Sequence, residues 1–290
     1  MGADAEFNYL AHIPTNVFKN LLYKWNKNSI ELAPNGLLSK ENRDSTIHAI
    51  QNISDSKLKQ LQKLSENLDI SDVWWQAYQI SKIKQLTSLQ KRRNTFSVDK
   101  DLDKNYAKIK GIFSVNELSE YAIFILLEFS SRSAALRRNF RYIFVPSSKI
   151  ILIEQKKLAL ELLKKEILPL ISKEPDKITH KRPNARLIRN FAKSSDNSRP
   201  PLVLNYLKIK VSLETSGIEG LSQITINGDD IIRGAETLEQ RHEISLKFMN
   251  SGPWIGAGTK DFRFEVGKGI QILRLEEEPL KNLATVLSWL

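Results

Sequence analysis

The residues of this chain that could do chemistry by type and spacing are its cations. Lys82, Lys84, Lys91, Arg92 and Arg93 follow one another with no acidic residue among them. Arg132, Arg137, Arg138 and Arg141 crowd into ten residues beside Phe140 and Tyr142. From Lys173 to Arg199, Lys173, Lys177, Lys181 and five further cations are opposed only by Glu174, Asp176 and Asp196. Lysine and arginine neutralise phosphates and release counterions whatever the base sequence. No zinc finger, basic zipper or homeodomain pattern accompanies them. The chemistry they point to is contact with a polyanion backbone rather than base reading.

Other chemistry finds little support. The four histidines, His12, His48, His180 and His242, have no i, i+4 pair and no carboxylate at ligand spacing. Asp229-Asp230 follows a glycine turn and reads as a turn cap. Gly252 to Lys260 (GPWIGAGTK) loosely resembles a phosphate loop, but its lysine follows the threonine and no strand-to-helix context is evident. No nucleophile sits in a recognisable elbow. Cysteine is absent, which removes disulfides and thiolate chemistry and fits a reducing compartment. A non-enzymatic protein without a cofactor or metal is the expectation.

The net charge of +11 is unevenly spread. From Leu202 onward ten Lys/Arg stand against twelve Asp/Glu, about −2, so residues 1–201 carry about +13. A basic body with a near-neutral tail implies polyanion contact by the first part and protein contact by the second. No run of about 18 apolar residues could span a membrane, and no secretion signal is evident at the start.

The elements that must position these cations follow from hydrophobic spacing. Ile13-Pro14-Thr15-Asn16 reads as a helix start, with Thr15 or Asn16 as cap. Val17, Phe18, Leu21, Leu22 and Trp25 then make an apolar stripe. Further helices are expected over 40–53 and through Leu58, Leu61, Leu64 and Leu68. A last one covers Ser71 onward, where Val73, Trp74, Ala77 and Ile80 recur at helical steps. Residues 1–93 would form a small helical bundle that ends in a cationic connector. Residues 94–193 read as an α+β domain. It has a charged helix over 98–109, strands over 111–115, 121–129, 142–145 and 150–153, and an amphipathic helix over 155–171 disturbed by Pro169. Residues 194–201 have linker composition. Residues 202–290 read as a small sheet: strands about Leu207–Leu213, Ile224–Ile226, Phe262–Val266 and Ile270–Leu275. With little core of its own, it is expected to seek a partner at its open edge.

Several blocks, in order along the chain, resemble the centromere protein N family of inner-kinetochore subunits, in a fungal form. They are IPTNVFKNLLYKW (Ile13 to Trp25), VWWQAYQISK (Val73 to Lys82), RYIFVPSSKIILI with the helix after it, and INGDDIIRGAETL followed by PWIGAG. The resemblance implies an N-terminal pyrin-like helical bundle and a central α/β domain with a mainly antiparallel sheet. It also implies a C-terminal β-rich dimerisation domain that pairs with a centromere protein L subunit. It implies a nuclear protein at the centromere and kinetochore that binds centromeric nucleosomes and DNA in a basic groove and meets other inner-kinetochore subunits.

Carried over residue by residue, the family's groove positions match His12, Lys82 and Lys84. They also match Arg137, Arg138 and Arg141, then Lys156 or Lys157, then Lys173, Lys177 and Lys181. His12 stands where the family has lysine. Glu6 to Tyr9 lack the basic pair with which animal members read the centromeric histone variant. With Lys91 and Arg92 of the connector, these are the expected phosphate contacts. Ile224, Ile226 and Ile231, with the region of Trp254 and Phe262, are the expected partner edge. The rival expectations are a scaffold whose basic faces meet only acidic proteins, and a nucleic-acid enzyme.

Overall fold

The computed structural model describes residues 7–27, 29–33, 35–70, 72–84, 95–96, 106–114, 123–131, 136–188, 203–210, 223–227, 229 and 254–290. The fold is mixed α+β, built on a mainly antiparallel sheet with helices on both faces. A 3₁₀ turn (Asn8–His12) leads into α1 (Thr15–Asn26), α2 (Arg43–Gln51) and α3 (Asp55–Leu68). The α1 stripe of Val17, Phe18, Leu21 and Leu22 is buried, as its spacing predicts. Neither Thr15 nor Asn16 caps α1. Thr15 is its first residue, and the acceptor for the Thr15 amide comes from Glu276, 261 residues away.

The tryptophan segment is the principal correction. Residues expected to close the helical bundle form strand β1 (Trp74–Ile80), in the interior of the sheet. Trp75 and Ala77 are buried on one face, Tyr78 and Ile80 on the other. A strand covered on both faces loses simple alternation and can mimic helical spacing. Val73 and Trp74, which anchored the helical reading, are only half-buried. Tryptophan, tyrosine and isoleucine suit a pleated buried surface.

A twelve-stranded sheet results. It holds β2 (Thr95–Phe96), β3 (Tyr106–Ser114), β4 (Ile123–Ser131), β5 (Leu136–Val145) and β6 (Ile150–Glu154) in consecutive order, with β1 beside β6. β3 corrects a second helical reading: 106–109 is strand, and the rest of the expected 98–109 helix lies outside the described residues. β4 is flanked on both sides and buried on both faces, in keeping with its unbroken apolar run. Beyond β1 the sheet continues through β12 (Gly269–Ile272), β11 (Phe262–Glu265), β10 (Trp254–Gly258), β8 (Tyr206–Lys210) and β9 (Gln223–Asn227). β7 (Ile178–Lys181), which the basic composition of its segment conceals, also pairs with β1.

β1 therefore has one edge on β6 and divides the other between β12, at Trp74 and Trp75, and β7, from Ala77 to Ile80. Gly269 permits the approach of β12: at φ 110° its Cβ would lie 2.2 Å from the Trp75 carbonyl oxygen. Gly256 and Gly258 of the supposed phosphate loop serve strand packing. A Cβ on Gly258 would lie 2.5 Å from the Phe262 carbonyl oxygen. Val266, expected to continue β11 inward, is 42% exposed in the following turn.

Two cores flank the sheet. One joins the N-terminal helices to Trp75, Ala77, Leu207, Phe264 and α6 (Glu277–Leu287). The C-terminal strands thus share a core with the bundle instead of having little of their own. α6 escaped the sequence reading although Leu280, Leu283 and Leu287 recur at helical steps after Pro279. The other core lies under α4 (Lys157–Leu162), a π-helical turn (Leu163–Ile167) and α5 (Leu168–Ile171). Pro169 has no amide to donate, and its ring crowds the carbonyl four residues back. The π turn before it is where the ladder adjusts.

Candidate nucleic-acid interface

At the Trp75 end of β1, three of the expected contacts gather about two acids. Glu154 ends β6 with its side chain only 1% exposed. Its Oε1 accepts from Arg141 Nε at 2.6 Å, and its other oxygen accepts from Lys156 Nζ. The Arg141 guanidinium also donates through Nη1 to the Asp69 carbonyl oxygen at the end of α3. His12 Nδ1 lies 3.5 Å from Asp69 Oδ1. Two residues along, Asn139 Nδ2 donates to Asn67 Oδ1 at 2.6 Å. Arg141 is thus a strut between helix α3 and the sheet. Antiparallel alternation sends Arg138 the other way, and it is exposed.

Beyond Ile80, at the opposite end of β1, Lys82, Lys84, Lys173 and Lys177 meet. Ile83 forms a bridge with Ser172, and the Lys173 amide donates to the Lys82 carbonyl oxygen at 2.9 Å. Two basic segments far apart in sequence are one surface here. Glu174 sits among them, 2.7 Å from Lys82 Nζ and 3.5 Å from Lys177 Nζ. The hydrogen bond to Lys82 holds the Glu174 carboxyl below the usual range and raises the lysine in turn. Lys84 Nζ donates to the Pro169 carbonyl oxygen at 2.6 Å, where a cation satisfies an orphan carbonyl at a helix end. The Lys173 ammonium has no partner among the described residues.

The two groups are roughly 20 Å apart by the strand rise along β1. They do not line one pocket. On the face of the sheet away from the bundle, the layer formed by α4, the π turn and α5 runs from Lys156 and Lys157 at one end to Lys173 at the other. Its outer side exposes Lys157, Lys164 and Lys165, interleaved with Glu161 and the half-buried Glu166. Lys164 and Lys165, in the π turn, stand between Lys157 and Lys173 along that layer.

Lys181 ends β7, apart from both groups, and donates to the Leu290 carbonyl oxygen at 3.1 Å. Lys91 and Arg92 lie outside the described residues, as does the Arg137 side chain, although its backbone pairs with Ser130. On the partner side, the backbones of Ile224 and Ile226 lie in β9, which among the described residues pairs with β8 alone. Ile231 lies outside the described residues. Trp254 begins β10, an inner strand between β8 and β11. Phe262 is 1% exposed and packs edge-on against Phe264, so it supports the core behind the edge.

Among the described residues no group of three His, Cys, Asp or Glu is placed to hold a metal ion, and no helix is long and apolar enough to cross a membrane. Asp229 serves its turn through its carbonyl, which accepts from Asn205 Nδ2 at 2.6 Å. No family model and no curated protein matches the chain.

Proposed function

We propose that the chain is a non-enzymatic, DNA-binding subunit of the inner kinetochore, of the centromere protein N kind. In this reading α1 to α3 are the pyrin-like bundle and residues 202–290 are the dimerisation domain. The β9 edge pairs with a centromere protein L subunit, and the protein acts at the nuclear centromere. The observation that carries the DNA reading is the joining of Lys82 to Lys173 through their backbones. It unites two cationic segments at one end of a helix layer whose outer side continues the positive charge through Lys165, Lys164 and Lys157. One strand carries a phosphate per about 3.4 Å of helix axis, so a track of roughly 20 Å laid along the axis spans about six of them. Arg138, Lys91, Arg92 and Arg137 extend the count, while Arg141 acts by holding the bundle in place.

A scaffold that binds only acidic proteins is favoured by a different observation. Glu174 already engages Lys82 and Lys177, and Glu154 engages Arg141 and Lys156. A gel shift of the full chain with a plain duplex, titrated with salt, separates the two readings. DNA binding that weakens steeply with salt supports the first. No shift at about 50 mM salt, together with capture of an acidic peptide, supports the second.

A further inference from the structure

Where β1 exchanges β12 for β7, the sheet opens into a notch of about 190 Å³. Its wall carries His180, Lys181, Arg182 and Lys268, with the amides of Gln76 and Gln155, and no acidic residue is among its described lining residues. Three separate elements supply these groups: β7 with the segment after it, the turn between β11 and β12, and β1 with the end of β6. Gly269, at φ 110°, lets that turn close against Trp75, and Gly267, at φ 83°, takes a backbone conformation other residues rarely adopt.

The donors are arranged and only partly used. Arg182 Nε donates to His180 Nδ1 at 3.1 Å, which leaves the proton of the neutral imidazole on Nε2. The imidazole is held flat on Tyr78, 4.7 Å between centroids at 11°. Burial, and then the Arg182 charge, push the His180 pKa down. Lys268 Nζ lies 3.2 Å from Glu265 Oε2, and Lys181 uses one donor on Leu290. An ammonium has three donors and a guanidinium five, so each cation keeps donors to spare.

The notch is smaller than the roughly 300–1,000 Å³ of small-molecule pockets, yet has room for several waters. It suits one charged group on the tip of a side chain rather than a nucleotide. A backbone diester, flanked by sugars on both sides, cannot enter it. A phosphate monoester carries close to two negative charges and three acceptor oxygens, which matches three cations drawn from two separate segments, Lys181 and Arg182 from one and Lys268 from the other. We propose that this notch receives the phosphate of a phosphoserine or phosphothreonine on a partner protein. The site stands apart from the DNA reading and does not depend on it.

The test titrates the full chain with N-acetyl-phosphoserine amide and follows the His180 imidazole signals by NMR. The unphosphorylated serine amide, the glutamate analogue and a plain duplex with dephosphorylated ends run in parallel. The phosphoserine probe should shift His180 saturably while the serine amide does not. The exposed-residue variant Arg182→Gln/Lys268→Gln should weaken that binding by about tenfold or more. The proposal is overturned by no saturable shift, by an equal response to the glutamate analogue, or by displacement of the probe by the duplex. A chain that binds the probe but no DNA would sink the DNA reading alone.

Discussion

Arg141 Nε lies 2.6 Å from Oε1 of Glu154, a carboxylate almost wholly out of water. The same guanidinium reaches the Asp69 carbonyl, so one arginine ties the bundle to the sheet. Its side chain is 18% exposed. Removing the Arg141 side chain takes a donor from the buried Glu154 carboxylate and another from the Asp69 carbonyl, and leaves the carboxylate with Lys156 and the amide of residue 141. Arg141→Ala should therefore destabilise the chain by about 2 kcal/mol or more in urea unfolding. At a temperature where both proteins are folded, its DNA affinity should change less than that of Lys82→Glu/Lys173→Glu. A variant of normal stability that has lost DNA binding would return Arg141 to the phosphate contacts.

Glu276 makes stability fall with pH. Burial raises its pKa to about 7, against the hydrogen bonds from Thr15 and the charge of Arg274. An acid whose folded pKa is raised binds more protons folded than unfolded. Its stabilising contribution is full below about 4.5 and is lost as pH rises towards about 7, roughly 3 kcal/mol across the window. Glu276→Gln keeps an oxygen for the Thr15 amide and should flatten this component of the urea-unfolding profile. An unchanged slope between pH 4.5 and 7 would remove Glu276 from the account.

Gly269 tests the continuity of the sheet. Gly269→Ala meets both a positive φ and a backbone oxygen at 2.2 Å, so no side-chain movement relieves it. The cost should be about 2 kcal/mol or more in chemical denaturation. Because β12 and β1 bind the C-terminal strands to the rest, the loss should appear as one cooperative transition. A separate early transition of the C-terminal strands would mean that the two halves unfold apart.

Much of the fold is legible where burial is one-sided. The α1 stripe reads directly because the helix wets one face, and the Leu207–Ile209 alternation because Lys208 and Lys210 between and after them lie nearer water. β4 reads from the length of its apolar run. Trp74 to Ile80 misleads because both of its faces are covered and its spacing carries no period of its own. β7 is hidden by His180 and Lys181, polar residues tolerated because Tyr78 stacks on the histidine and Leu290 takes the lysine. Of the candidate interface, sequence yields the cations but not their acids. Glu154 and Glu174 look like ordinary surface charges until the topology sets them beside Arg141 and Lys82. Nor does sequence spacing show that Lys164 and Lys165 share one helix layer with Lys173, which joins Lys82.

The central claim is that Lys82, Lys84, Lys157, Lys164, Lys165 and Lys173, remote in sequence, act together on one polyanion. The most direct measurement is the slope of log affinity for a plain duplex against log salt, for the native chain and for Lys82→Glu/Lys164→Glu/Lys165→Glu/Lys173→Glu. With about 6–10 phosphate contacts the native chain should lose roughly 10³–10⁵ in affinity between 50 and 200 mM salt. The variant's slope should be shallower by about 3–4. Native binding that ignores salt, or a variant that keeps the native slope, would contradict the claim.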